Sequence, residues 1–233
     1  MENLHFSVKK NTITGLIGPN GAGKTTVFNL ITRFLPCDGG EIFFANKKLP
    51  HLRPSKIVHR GLARTFQQIR LCKTLTVREN LLLAASRKYD SWWHCFRPRC
   101  EEKENEKVQN LLKTFFLENI IDIPASELSY GQSKLIEIAR ALLTDAELIL
   151  LDEPAAGINP TLLRTVEKII FALKKKGKTL LVIEHNMPFL MRISDDIIAM
   201  DNGKFLCQGT PDEVQQNPKR LAAYLGGTID TKK

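Results

Sequence analysis

The first residues whose types and spacing could do chemistry form the segment 18–26, which has the sequence GPNGAGKTT. It lies between an apolar run, 13–17, and an apolar helix start at Val27. In such a loop, glycines let successive backbone N–H groups converge on one anion at a helix N-terminus. The lysine then reaches the β- and γ-phosphates, and the first threonine hydroxyl coordinates magnesium. The segment predicts a nucleoside triphosphate site with Mg²⁺, against the alternative of a glycine-rich turn with an incidental lysine. The predicted binding residues are Asn20, Gly21, Gly23, Lys24, Thr25 and Thr26.

Two acidic residues, Asp152 and Glu153, follow the segment 147–151, whose apolar residues predict a buried strand. Burying carboxylates at the end of a strand costs free energy unless a cation or hydrogen bonds offset the cost. We expect Mg²⁺ to do so for Asp152, opposite Thr25. Glu153 is then placed to act as the general base that polarises an attacking water.

His185 follows a second apolar strand, 179–183. The carboxyl end of a core strand lies on the ligand side of an open α/β sheet. We therefore expect His185 to hydrogen-bond the γ-phosphate or the attacking water.

A second candidate anion site is the segment 128–132, with the sequence LSYGQ, directly before a helical run with Leu135, Ile138 and Leu142 on one face. A serine hydroxyl and the free N–H groups of a helix start can grip a phosphate. The alternative is an ordinary serine cap of the helix. The predicted binding residues are Ser129, Gly131 and Gln132.

The remaining patterns predict the elements that would position these residues. Strands are predicted at 42–44, 62–66, 147–151 and 179–183, with strand pairs at 1–17, turned at 9–11, and after 196, turned at 201–203. Helices are predicted after the phosphate loop, at 54–61, 77–86, 101–117 and 161–176, and after 211. A loop is expected to begin at Gln67.

These elements predict an α/β protein with a P-loop NTPase core. Its mostly parallel sheet would be flanked by helices, with an antiparallel β part and an inserted helical subdomain. We expect one domain over residues 1–233, with the core at 1–74 and 144–226, the helical subdomain at 75–143, and a tail at 227–233.

The composition is that of a soluble globular protein, with 43% hydrophobic and 25% charged residues among 233. No apolar run approaches the ~20 residues that span a bilayer, and the start lacks a signal-peptide pattern. We therefore expect the chain neither to cross nor to enter a membrane by itself. The net charge of +9 suits nucleic acid or an anionic membrane surface. The dispersed basic residues lack aromatic interleaving, which favours the membrane surface.

The five cysteines are odd in number and scattered, which indicates reduced thiols in the cytosol. A zinc site at His94, Cys95 and Cys100 would lack a second ligand pair and is not favoured. Aromatic residues at 92, 93 and 96, flanked by arginines at 97 and 99, fit contact with a partner or a membrane headgroup zone. They fit equally well an insert that packs back on the helical subdomain.

With these segments in this order, the chain resembles the nucleotide-binding subunit of an ATP-binding cassette (ABC) transporter over residues 4–226. The resemblance rests on the phosphate loop, Gln67, LSYGQ, the strand ending at Glu153, and His185. Four further segments resemble the branched-chain amino acid importer group. They are ARTFQQIRL at 63–71, EPAAGINP at 153–160, GTP at 209–211 and YLG at 224–226.

The resemblance implies an ATPase whose two cassettes sandwich two ATP molecules, with Ser129, Gly131 and Gln132 acting on the nucleotide of the other subunit. It implies Glu153, His185 and Gln67 as catalytic residues, and Thr25, Gln67 and Asp152 as the residues around Mg²⁺. The implied partners are a second cassette, identical or different, membrane-spanning permease subunits and an extracytoplasmic substrate-binding protein, with no nucleic acid. The implied location is cytoplasmic, peripheral on the inner face of the cell membrane.

Two departures from the family pattern bear on this interpretation. Members usually begin further upstream, with an aromatic residue that stacks on adenine, and Asn159 stands where many have aspartate, although asparagine fits the importer group. The alternatives are a lipid or lipopolysaccharide export ATPase, a weakly hydrolysing nucleotide-binding scaffold without the adenine-stacking segment, and a translation or DNA-repair cassette. The last class usually has two cassettes or a long coiled coil in one chain, and this sequence has neither.

Overall fold

The computed structural model of the chain describes residues 1, 4–85 and 98–216, with the backbone alone for 98–101. The aromatic cluster at 92–96, the candidate zinc ligands His94 and Cys95, the YLG segment and the tail at 227–233 lie outside the described residues. No helix among the described residues is both long and apolar enough to span a bilayer.

A six-stranded sheet with the strand order β4-β5-β6-β1-β7-β8 forms the centre of the fold. Five of its strands are parallel, and β8 returns antiparallel to β7. A separate antiparallel pair consists of β2 and β3. The strands are β1 Ile13–Ile17, β2 Phe43–Phe44, β3 Lys47–Lys48, β4 Leu62–Arg64, β5 Leu148–Asp152, β6 Thr179–Ile183, β7 Asp196–Asp201 and β8 Lys204–Gly209. The predicted fold class is confirmed.

The helices occur where the apolar spacing predicts them, apart from α7, which sequence analysis missed. Helices α3 to α5 follow one another between β4 and β5, and the described part of residues 75–126 contains no strand. The helices are α1 Lys24–Ile31, α2 Pro54–Ile57, α3 Val77–Ala85, α4 Pro98–Phe115, α5 Tyr130–Leu143, α6 Pro160–Lys175, α7 Met187–Ile193 and α8 Pro211–Gln215. The proposed division into a core and a helical subdomain stays a prediction.

The predicted strand pair over residues 1–17 is wrong in its first half. The described residues 4–9 form no strand, although the turn at 10–11 is present. The reason is that β1 lies between β6 and β7 and pairs with both, so neither edge is left for a hairpin partner. Leu4, Phe6 and Val8 pack instead on the apolar cluster beneath the sheet.

Hydrophobic side chains cover both faces of the sheet. Because side chains alternate along a strand, Ile13 and Ile17 pack with helices α5, α6 and α7, whereas Leu16 packs with α1 and α2 on the opposite face. The first cluster continues into α3 and α4 through Leu81 and Leu112. This packing fixes the carboxyl ends of the strands, and the candidate site lies at those ends.

Candidate active site

Four neighbouring parallel strands bring the predicted site residues to one edge of the sheet. In the order β4, β5, β6 and β1, these strands lead directly to Gln67, Glu153, His185 and the loop 18–23. Because parallel strands all end on the same side, residues far apart in sequence meet there.

The phosphate loop leads into α1 through Gly23, whose φ of 98° is in the left-handed region and suits glycine. The Lys24 Nζ donates hydrogen bonds to the carbonyl oxygens of Gly18, at 2.7 Å, and Pro19, at 3.0 Å. The lysine therefore folds back over its own loop and is only 7% exposed. Asn20, Gly21 and Thr25 are exposed beside it, and Gly23 and Thr26 are half-buried.

Burial lowers the pKa of Lys24, and the nearby charges of Glu153 and Asp152 oppose that shift. The carboxylates of Asp152, at the end of β5, and of Glu153 are therefore close enough to act on the Lys24 ammonium. A buried cation at a helix N-terminus strongly favours a bound anion.

The three residues predicted to be catalytic meet at Glu153. The Gln67 Nε2 donates a hydrogen bond to Glu153 Oε2 at 3.0 Å, and the His185 Nε2 lies 3.1 Å from Glu153 Oε1. Within the described part of the chain, each carboxylate oxygen thus has one partner, which leaves a second acceptor position for a water proton. The backbone of Glu153 has a φ of 50°, which is uncommon for a residue other than glycine and is often found at functional sites.

Asp152 lies 2% exposed at the end of β5 and is paired with a residue that sequence analysis missed. The Arg64 Nη2 lies 2.9 Å from Asp152 Oδ2, and both side chains are buried. The Arg64 Nη1 also donates to Asn29 Oδ1 at 2.6 Å, and its guanidinium lies over the ring of Phe28. Arg64 thus supplies a positive charge beside Asp152, where the sequence analysis predicted only Mg²⁺.

Glu184 is a second missed residue beside the cluster. Its buried carboxylate accepts hydrogen bonds from the backbone N–H groups of Ala155, His185 and Asn186. Burial raises the pKa of Glu184, and these hydrogen bonds oppose the rise. Glu184 therefore ties the loop after β5 to the segment that carries His185. The signal available in the sequence was its place at the end of an apolar strand, next to a candidate site residue.

The residues predicted to surround Mg²⁺ offer the oxygen atoms that this ion prefers. The amide nitrogen of Gln67 is engaged by Glu153, which leaves its carbonyl oxygen available. Asp152 Oδ1 and the exposed hydroxyl of Thr25 complete a set of hard oxygen ligands. Within residues 4–85 and 102–216, no three His, Cys, Asp or Glu side chains cluster as a metal site.

Ser129 caps the start of α5, as the alternative interpretation of an ordinary serine cap predicts. Its hydroxyl oxygen accepts from the backbone N–H of Gln132 at 3.3 Å, and the Gln132 side chain accepts from the backbone N–H of Ser129, which forms a capping box. The serine remains exposed and its hydroxyl hydrogen can still be donated. A Cβ at Gly131 would lie 2.4 Å from Leu162 Cδ1, so a larger residue there would force that side chain to shift.

Among the described residues, no hydrogen bond or ion pair joins Ser129, Gly131 or Gln132 to Lys24 or Glu153. The structure therefore brings Lys24, Gln67, Glu153 and His185 together. The three predicted residues at the start of α5 lie apart from them. Asn159, the departure from the family pattern, caps α6 by accepting from the Leu162 N–H at 2.9 Å.

Comparisons with known proteins give the family. The family model described as ABC transporter matches residues 1–156. A high-affinity branched-chain amino acid transport ATP-binding protein, LivG of Salmonella typhimurium, is 38% identical over 97% of this chain and 91% of its own length. BraF of Pseudomonas aeruginosa, with the same description, is 37% identical over the same shares.

Two solved structures have the same fold. A nucleotide-free ATP-binding cassette from an ABC transporter has a TM-score of 0.83 and 36% identity, over 95% of this chain and 90% of that one. A dimeric cassette in a post-hydrolysis state, bound to ADP and phosphate, has a TM-score of 0.78 and 25% identity, over 90% and 89%. The chain therefore belongs to the ABC transporter family and is one of its ATP-binding, ATP-hydrolysing subunits.

Proposed function

We propose that the chain powers the import of branched-chain amino acids, using the residues at the sheet edge to hydrolyse ATP. The observation that carries the hydrolytic part is the contact of Gln67 and His185 with opposite oxygens of Glu153. The support for the cargo is the similarity to LivG and BraF over 97% of the chain.

Glu153 is the general base in this proposal. Its carboxylate takes a proton from the attacking water while the water oxygen bonds to the γ-phosphorus and the bond to the β-phosphate oxygen breaks, which gives ADP and phosphate. Gln67 and His185 orient that carboxylate, since each contacts one of its oxygens. Lys24 holds the phosphates together with the N–H groups of residues 20–26.

Thr25, Gln67 and Asp152 are the residues that would hold Mg²⁺. The ion would neutralise charge on the phosphates when it is bound. Asp152 is held for this role by Arg64, which fixes one carboxylate oxygen and leaves the other.

The assembly we propose is a pair of cassettes on a permease, with an extracytoplasmic substrate-binding protein, at the inner face of the cell membrane. Ser129, Gly131 and Gln132 would act on the nucleotide of the second cassette, which is consistent with their separation from Lys24 in this chain. A dimeric relative bound to ADP and phosphate supports the pairing.

Uptake of labelled leucine tests the cargo directly. In cells that lack the chromosomal copy, we expect the wild-type chain to restore leucine uptake and Glu153→Gln to leave it at background. Glutamine keeps the shape of the side chain but cannot accept the proton. Uptake of an unrelated sugar serves as the control and should not change. Wild-type expression without any gain in leucine uptake would remove the cargo assignment.

A further inference from the structure

Side chains of α5 hold the backbone of the loop that carries Gln67. Gln67 and Gln68 are exposed, and the segment 66–70 forms no helix or strand. Nearby on α5, Glu137 is only 5% exposed. Its Oε1 accepts the backbone N–H of Phe66 at 3.2 Å, and its Oε2 accepts that of Arg70 at 3.3 Å. One carboxylate thus binds both ends of the loop.

Arg140 strengthens this attachment from the next turn of α5. Its Nη1 donates to the carbonyl oxygen of Arg70 at 2.6 Å. The N–H and the carbonyl of Arg70 are therefore both bound by side chains of one helix. The Arg70 guanidinium in turn lies 4.0 Å from the ring centroid of Phe66, which draws the two ends of the loop together.

A buried lysine lies one turn before Glu137 on the same helix. Lys134 is 2% exposed, and its Nζ has no hydrogen-bond partner among the described residues. Burial raises the pKa of Glu137, whereas its hydrogen bonds to Phe66 and Arg70 and the charge of Lys134 lower it. Lys134 therefore helps keep Glu137 ionised, the state in which both of its oxygens accept hydrogen bonds.

We propose that Glu137 is a positioning residue, which sets Gln67 against Glu153 by holding the loop backbone on either side of it. The inference rests on the proposed catalytic roles of Glu153 and Gln67. Among the described residues, Glu137 makes no hydrogen bond or ion pair with Gln67 or Glu153, and it acts through the backbone of Phe66 and Arg70. The Gln67 Nε2 reaches Glu153 at 3.0 Å, so a loop released by even about 1 Å would lose this contact.

A double-mutant cycle on the purified chain tests the proposal. Glu137→Gln keeps the size of the side chain but turns an N–H donor toward one of the two backbone N–H groups. We expect kcat for ATP to fall about 10-fold, with KM changed less than about twofold, because Lys24 and its loop are untouched. In the Gln67→Ala background, adding Glu137→Gln should change kcat less than about twofold.

Glu106→Gln is the matched control, since Glu106 is an exposed acid on α4. It should leave kcat and KM unchanged. Circular dichroism and thermal unfolding of each variant would show whether the fold is kept. If Glu137→Gln does not fold, Arg140→Met removes the hydrogen bond to the Arg70 carbonyl oxygen. Its smaller loss of kcat should likewise disappear in the Gln67→Ala background.

Two results would overturn the proposal. If the effects of Glu137→Gln and Gln67→Ala multiply, Glu137 acts by a route that does not involve Gln67. If Gln67→Ala leaves kcat unchanged while Glu137→Gln lowers it, the catalytic role of Gln67 fails as well. Glu153→Gln separates this proposal from the proposed function. If that variant is inactive, the hydrolytic role of Glu153 is supported even when the effects of Glu137→Gln and Gln67→Ala multiply.

Discussion

The phosphate loop and the cluster around Glu153 are built in opposite ways. Lys24 bonds to carbonyl groups five and six residues before it, so the loop forms from one short segment. Gln67 and Glu153 are 86 residues apart and meet because β4 and β5 are neighbours. The loop therefore depends on local backbone geometry, whereas the cluster depends on the order of the strands.

This difference implies that substitutions in the two regions should have separate effects. A change in the loop should remove nucleotide binding and leave the sheet intact. A change among the long-range contacts behind the cluster should affect both the fold and the placement of the carboxylates. Arg64 is informative because it contacts Asp152, next to Glu153, and Asn29 on the helix that follows the loop.

The largest effect is expected for Lys24→Ala. This variant removes the ammonium that we propose binds the phosphates, and we expect ATP affinity to fall about 1,000-fold, or ~4 kcal/mol. The melting temperature should change little, because the carbonyl oxygens that Lys24 binds belong to its own loop and not to the sheet. Isothermal titration with ATP and Mg²⁺ measures the affinity.

Lys47→Ala is the matched control for that titration. Lys47 is an exposed lysine on β3, so its removal changes the net charge equally and should leave ATP affinity within about twofold. If Lys24→Ala bound ATP like the wild type, the assignment of residues 18–26 as the nucleotide site would be wrong.

Arg64→Met should have the next largest effect, on stability. It leaves Asp152 buried without its cation, which costs about 3 kcal/mol or more in the free energy of unfolding. The matched comparison is Arg78→Met, which breaks the more exposed pair with Asp122 and should cost at most about 1 kcal/mol. Urea unfolding of both variants measures the difference. Equal losses would mean that burial does not increase the contribution of the Arg64–Asp152 pair to the free energy of unfolding.

The sequence could predict the local features of the site but not its long-range contacts. Glycine spacing and the adjacent lysine predicted the phosphate loop, and apolar runs that end in polar residues predicted Glu153 and His185 as site residues. Gln67 was identified through the family resemblance. The pairing of Arg64 with Asp152 depends on which strands are neighbours, and a single sequence does not specify that order. The first half of the strand pair at 1–17 was predicted wrongly for the same reason, because β1 is internal to the sheet.

Glu137 and Lys134 show a second limit of sequence analysis. Both lie on α5 between apolar residues, where a polar residue is usually taken as part of the solvent face. The structure buries both, and Glu137 binds the loop that carries Gln67. A polar residue next to the apolar stripe of a helix beside a site was the available signal, but nothing in the spacing says which loop it meets.

The smallest predicted effect concerns pH and Glu184, a long-range support of the cluster. Its pKa is raised in the folded state by burial. The folded chain therefore binds this proton more tightly than the unfolded chain does. The stability from this group is complete below the ordinary pKa of 4.5 and is lost as the pH rises through the raised value.

Glu184→Gln isolates this contribution, because glutamine does not titrate and every other group is shared. We expect the stability of the wild type to fall more steeply with pH than that of the variant above pH 4.5, by at most about 1.4 kcal/mol per pH unit. Urea unfolding of both proteins at several pH values measures the two slopes. Parallel slopes would mean that Glu184 titrates normally in the folded chain. In that case the three backbone N–H groups it binds would fully offset its burial, and the cluster would be supported without electrostatic cost.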